Sequence, residues 1–237
     1  MAPRTLVSRI DSMVICASPK ASCRSVADFA WEVNQSKALR LRTGMQVIVF
    51  RNPLRRLISA YLNKYVEHTR YREASLALCP DARLDTFADF LAELDRHGFR
   101  CIDKVHFKPQ RARYRWRSFD RIFDADDLEP FRQFVNAFFG TNEEMPFRVA
   151  ANRLKVARDS PGAERPRECE GESAPWLLTR EVLREKSEQQ HLPAYAEFYT
   201  PALEATARRV YGMDYRFLDE CFRRGRLDAR LHETLCA

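Results

Sequence analysis

Only 7 of the 237 residues are glycine and 12 are proline. So little of either excludes a collagen-like or low-complexity chain, and it weighs against a fold built from many tight hairpins. The 7 cysteines (Cys16, Cys23, Cys79, Cys101, Cys169, Cys221 and Cys236) include no C-x-x-C pair. That spacing indicates neither a zinc site nor a complete disulfide framework, so unpaired thiols are expected and no metal is. No apolar run reaches the roughly 18 residues a membrane helix requires, and the first ten residues are too polar for a signal sequence. A soluble, cytoplasmic protein is the expectation. The glycine-flanked phosphate loop G-x-x-x-x-G-K-[ST] is absent too, which disfavours an ordinary ATP or GTP hydrolase.

What the chain does contain is enough apolar sequence, 45% of residues, to bury one sizeable core. A single domain over residues 1–237 is expected. The net charge is +7, most of it carried by arginine. A positive field suits a polyanion: nucleic acid, a phosphorylated cofactor, an acidic polysaccharide or a membrane surface met peripherally. Guanidinium forks favour phosphate and sulfate oxygens among these.

The hydrophobic pattern begins with the short apolar run M-V-I-C-A, residues 13–17, which reads as a buried strand. A polar loop follows, and then a helix over 26–39 with Ser25 available as its N-cap. The unit repeats at 46–50, Q-V-I-V-F, after which Asn52-Pro53 supplies a cap and a first-turn proline. Leu54, Leu57, Ile58, Tyr61, Leu62, Tyr65 and Val66 then recur at helical spacing. Two strand-loop-helix units predict an α/β fold: a parallel central sheet flanked by helices. Further along, a helix is expected over 86–94, a strand at 121–123, an acidic turn at 124–127 and a helix over 128–139. Residues 158–175 read as a mobile loop, 178–222 as a helix-rich C-terminal part, and 222–237 as an amphipathic basic tail.

Ligands of an open α/β sheet gather where strands end and helices begin. At the first such place stand Lys20, Ser22 and Ser25, with the unpaired amides of a helix N-terminus. At the second stands Arg51, with Arg55 and Arg56 in the first helical turn, where cations oppose the helix dipole unless an anion binds. Arg55 and Arg56 read more readily as decoration of a solvated face, Arg51 as functional.

These stretches resemble the carbohydrate-type sulfotransferases that use 3′-phosphoadenosine 5′-phosphosulfate (PAPS). That family's 5′-phosphosulfate loop, P-K-x-x-C-[TS]-S, is similar to Pro19-Lys20-Ala21-Ser22-Cys23-Arg24-Ser25, with Arg24 in place of the loop hydroxyl. Its 3′-phosphate segment, R-[DN]-P-x-x-R-x-x-S-x-Y, matches residues 51–61 throughout. His106-Phe107-Lys108-Pro109-Gln110 resembles its H-[WF]-x-P-Q stretch, and Phe119-Asp120-Arg121-Ile122 its Y-D-x-I strand, with Asp124 where the family has Glu. Tyr211-Gly212-Met213-Asp214-Tyr215 resembles its closing Y-x-x-D-[FY].

The resemblance implies a P-loop-like sulfotransferase architecture, PAPS as sulfuryl donor, PAP (adenosine 3′,5′-bisphosphate) as product, and a carbohydrate or glycolipid hydroxyl as acceptor. It assigns Lys20 to the leaving-group oxygen; Lys20, Ala21, Ser22, Cys23, Arg24 and Ser25 to the 5′-phosphate; and Arg51 and Ser59 to the 3′-phosphate. Asn152 resembles a family asparagine that precedes the nucleotide-covering loop. His106, in the loop-like stretch 103–110, is the favoured general base, with His68 in reserve and Asp28 or Glu32 as carboxylate alternatives. Trp116 and Trp176 are candidates for stacking, although packing is the commoner use of tryptophan, and the basic clusters 111–117 and 223–230 are candidates for an acidic glycan. Two readings compete: a nucleotide or small-molecule kinase of similar architecture, and a nonenzymatic nucleic-acid-binding protein, the less favoured partner.

Overall fold

The computed structural model describes residues 7–11, 13–36, 44–145, 174–189 and 191–237. In chain order the strands are β1 (Val7–Ile10), β2 (Met13–Ala17), β3 (Met45–Phe50) and β4 (Arg121–Asp124). The helices are α1 (Cys23–Ser36), α2 (Pro53–Tyr61), α3 (Thr69–Leu78), α4 (Phe87–His97), α5 (Lys104–Phe107), α6 (Gln110–Arg113), α7 (Glu129–Phe139), α8 (Arg180–Glu188), α9 (Pro201–Val210), α10 (Gly212–Arg223) and α11 (Ala229–Cys236). The chain divides into two units, one of Met1–Pro53, Pro109–Ala150 and Met213–Ala237, the other of Leu54–Lys108 and Ala151–Gly212.

The first unit holds a sheet in the order β1-β2-β3-β4. β2, β3 and β4 run parallel, as the two strand-loop-helix units require, with Ala17 opposite Val49 and Phe50 opposite Asp124. β1 departs from the all-parallel expectation: it pairs antiparallel with β2, joined through a short turn in which Asp11 takes φ 47°. Its mixed sequence V-S-R-I gives no strong strand signal, because an edge strand needs only partial burial.

Side chains alternate across a strand, and the two faces collect different partners. Met13, Ile15, Ala17, Val47 and Val49 pack with Val26, Phe29 and Val33 of α1 and with Phe131, Val135 and Phe139 of α7. Cys16, Ile48, Phe50 and Ile122 face the other way, onto Phe217, Leu218 and Cys221 of α10 and onto Leu227 and Leu235. Residues 222–237, read from sequence as a basic tail, therefore include two leucines of the core and the helix α11.

The second unit is helical and aromatic. Tyr61 lies 5.3 Å from Phe87 and 5.2 Å from Phe90, while Tyr65 meets Phe90 at 4.7 Å and Phe107 at 5.5 Å. The helix expected to run to Val66 changes at Leu62 into a wider turn, where the Glu67 N–H reaches the Leu62 carbonyl at 3.0 Å. Cys79 and Cys101 form a disulfide, with Cα atoms 5.9 Å apart. This corrects the expectation of unpaired thiols for these two residues alone, since Cys16, Cys23, Cys221 and Cys236 lie outside any disulfide. The bonded partners lie 22 residues apart, and spacing alone does not reveal which cysteines a fold brings together.

Candidate active site

Three parallel strands deliver their C-terminal residues to one edge of the sheet in the first unit, and each is followed by a segment with a polar task. After β2, the Ala21 N–H bonds the Ser18 carbonyl at 2.9 Å and closes a turn without glycine. Lys20 and Ser22 instead adopt left-handed backbone, φ 69° and 50°. L-residues in that region cost roughly 1–2 kcal/mol each, so the surroundings must hold them there. Two anchors do so. Ala21 is fully buried against the α1 face of the sheet, and the Ser22 hydroxyl donates to the Ala125 carbonyl, 2.8 Å away, just past β4.

α1 begins at Cys23, earlier than expected, so Ser25 sits in its first turn instead of capping it. The shift follows from Ser22, whose carbonyl accepts from the Val26 N–H at 3.1 Å, the first bond of the helical ladder. The amides of Cys23, Arg24 and Ser25 thus lie at the positive end of a 14-residue helix with no acidic residue in its first turn. Arg24 is exposed beside them, while Lys20, Ser22, Cys23 and Ser25 are half-buried. Burial pushes the Cys23 thiol up, more than Arg24, the neighbouring backbone N–H groups and Lys20 pull it down. A neutral thiol adds no negative charge where an anion would bind.

After β3 comes Arg51. Its backbone N–H donates to Gln110 Oε1 at 3.1 Å and its carbonyl accepts from Gln110 Nε2 at 2.7 Å, a reciprocal amide pair that holds the strand end. Gln110 is fixed in turn: its N–H and that of Arg111 bond the two carboxylate oxygens of buried Asp214, at 3.0 and 2.7 Å. The Arg51 guanidinium grips Asp126 through Nε (3.2 Å) and Nη2 (2.9 Å) and donates from Nη1 to the Lys20 carbonyl at 3.2 Å. One cation therefore ties the segments after β2, β3 and β4 together. Asn52 does not serve simply as a cap, since its amide reaches back to the Thr234 carbonyl of α11 at 3.4 Å.

Four other sequence-identified residues, Arg55, Arg56, Ser59 and His106, belong to the second unit. Arg55 and Ser59 are half-buried on α2. Arg56 is fully buried, which corrects its reading as a surface cation: it donates to the carbonyls of His106 (2.8 Å) and Lys108 (3.1 Å) and so braces the H-F-K segment. That segment is not a loop. Asp103 caps α5 by accepting from the Val105 N–H at 2.9 Å, and its other carboxylate oxygen holds His106 Nδ1. Burial alone would raise the Asp103 carboxyl, but His106, by hydrogen bond and charge, together with the Val105 N–H and Lys64, outweighs it and holds the group below its usual range. The Tyr71 ring stands edge-on to His106 at 5.9 Å, with His68, the reserve base, 6.3 Å from the same ring.

Residues 8–219 match the model of the Sulfotransferase family. The chain belongs to that family. It is an enzyme that uses PAPS as sulfuryl donor. No curated protein and no solved structure matches it.

In this sulfotransferase the donor set fits an anionic nucleotide: the glycine-free turn, the helix amides, Lys20 and Arg51 lie in one unit at adjoining strand ends. Asn152 and nearly all of the 158–175 loop lie outside the described residues. Of the carboxylate alternatives, Asp28 is half-buried on α1 and Glu32 is exposed. Trp116 is 85% exposed, beneath the Arg115 guanidinium at 4.6 Å, and Trp176 is half-buried. Trp116 lines a hollow of about 410 Å³ with Gln46, Arg113, Tyr114 and Arg117. Gln46 is at the start of β3, the opposite end from Arg51, so this hollow is not the donor site. The basic cluster around it is partly structural, because Arg111 donates to the carbonyls of Tyr114, Arg115 and Arg117 and stacks on Phe217.

Sequence reasoning missed Asp126 and Asp103 as site residues and gave no role to Gln110 or Asp214. The last two were visible as the ends of H-F-K-P-Q and Y-x-x-D. Asp126 sat in a run of carboxylates that reads equally as a solvated turn.

Proposed function

We propose that this sulfotransferase moves the sulfuryl group of PAPS to a hydroxyl of a carbohydrate or glycolipid. The observation that carries the reading of the donor end is the Arg51–Lys20 link: the two cations required at opposite ends of a 3′,5′-bisphosphate are held at adjoining strand ends, one bonded to the other's backbone. Arg51 and Ser59 take the 3′-phosphate, and the amides of residues 22–25 with Arg24 take the 5′-phosphate. Lys20 donates to the oxygen between phosphorus and sulfur. As that S–O bond breaks, negative charge builds on the departing PAP, where a fixed cation acts most strongly. The acceptor oxygen forms the new S–O bond and gives its proton to His106, whose Nδ1 faces Asp103, an arrangement that suits imidazole for receiving a proton at Nε2. A sugar hydroxyl as acceptor is supported by the ordered likeness to the carbohydrate-type enzymes.

Purified protein incubated with PAPS and polysaccharide or lipid extracts should yield a sulfated sugar product by mass spectrometry, and it should bind PAP in preference to ADP. Binding of PAP with sulfate appearing only on non-carbohydrate hydroxyls would overturn the acceptor. Failure to bind PAP would overturn the site.

A further inference from the structure

Away from the donor loop, on the C-terminal pair of helices, Asp219 of α10 and His232 and Cys236 of α11 bring one ligand atom each within 4.8 Å of one another. We propose that these three side chains form a binding site for a single divalent ion of borderline softness, Zn²⁺ above all. The donor set is chemically mixed, one carboxylate, one imidazole and one thiol, which suits Zn²⁺ over Mg²⁺ or Ca²⁺, ions that take oxygen alone. The spacing supplies the geometry. His232 and Cys236 are four residues apart on one helix and share a face. Asp219 approaches from the neighbouring helix, its Oδ1 2.9 Å from His232 Nε2.

Three features hold the ligands ready. Leu218 and Cys221 of α10 are buried in the same core as Leu227 and Leu235, so the two helices are packed together next to the ligands. The Phe222 ring stacks on the His232 imidazole at 4.6 Å and 17°, which orients it. Cys236 is half-buried and outside any disulfide. Zn–N and Zn–S bonds of about 2.0–2.3 Å place ligand atoms roughly 3.5 Å apart, a contraction that side-chain rotation supplies. Binding displaces one proton from the Cys236 thiol, and the thiolate and carboxylate then balance the ion's charge, leaving a fourth position for water. The missing C-x-x-C pair gave no hint of this site, because its ligands come from a His-x-x-x-Cys helix face and a separate helix. The ion would clamp α11, whose Thr234 carbonyl supports Asn52 beside Arg51.

The test uses the full chain with its Cys79–Cys101 disulfide intact, stripped with chelator, handled without oxygen and titrated with Co²⁺. A single equivalent should produce tetrahedral visible bands and a thiolate-to-cobalt charge-transfer band, and Zn²⁺ should displace both. Cys236→Ser should abolish the charge-transfer band, and His232→Ala should weaken binding beyond the roughly 10–100-fold that loss of a ligand's supporting partner costs. His97→Ala, which removes another histidine beside a carboxylate, should change neither. As a measurement independent of these variants, Zn²⁺ should protect Cys236 of the unaltered protein from iodoacetamide, read by peptide mass spectrometry. No stoichiometric band, a band that survives both substitutions, or unchanged alkylation of Cys236 would each overturn the proposal.

Discussion

The segments after β2 and β3 solve the same problem, presenting positive charge at a strand end, by opposite means. The first is strained and shaped by backbone: two left-handed residues, a buried alanine, and the first amides of a helix. The second is shaped by side chains, with Arg51 clasped by Gln110, Asp126 and the Lys20 carbonyl. A backbone cradle recognises any tetrahedral anion, whereas a clasped guanidinium reads one in a fixed direction. On the proposed reading, pairing the two would distinguish a 3′,5′-bisphosphate from a simple phosphate.

Removing Arg51 should break this comparison most severely. Arg51→Ala is expected to weaken PAP binding by about 2–5 kcal/mol by calorimetry, part of it from leaving Asp126 without its cation. Arg51→Lys should recover little, since an ammonium cannot hold Asp126 and the Lys20 carbonyl in the same plane. Lys20→Ala should act on the other axis, lowering kcat about 100–1000-fold with a much smaller change in PAP affinity. Equal losses in both parameters for either variant would erase the distinction between reading and reacting.

Within the 51–61 motif the same contrast separates Arg51 from Arg56. Arg56→Ala should act on stability, because two carbonyls lose their donor in a buried site at about 1–3 kcal/mol each. Chemical denaturation reads this, and PAP affinity per folded molecule should stay closer to that of the parent than for Arg51→Ala. Asp103→Asn should alter acid stability instead. The carboxyl is held below its unfolded value of 3.8, so its contribution is present above that pH and is lost as pH falls through the folded value. The variant's stability should therefore fall less steeply below about pH 4 than the parent's.

Much of this was legible in the sequence. β2, β3 and α2 announce themselves through apolar runs and helical spacing, and Arg51 through its place between a buried strand and Asn52-Pro53. What escaped was long-range. β1 is too mixed in composition to signal a strand, the Cys79–Cys101 pairing depends on how the second unit folds, and Arg56 looks like a surface cation until the carbonyls of His106 and Lys108 are seen around it. Asp126 is 75 residues from Arg51, and nothing local marks it off from its acidic neighbours.

The finest test concerns strain in the glycine-free turn. Lys20 takes φ 69°, a conformation glycine adopts without the roughly 1–2 kcal/mol that other residues incur. Glycine also surrenders about 0.5–1 kcal/mol more chain entropy on folding. Lys20→Gly and Lys20→Ala lose the same charge, so their difference isolates the backbone: the glycine variant should unfold at higher denaturant, by about 0.5–1 kcal/mol, with both equally inactive. Equal stability would mean that Lys20 is not held left-handed, and the first strand end would then present its cation without strain, as the second does.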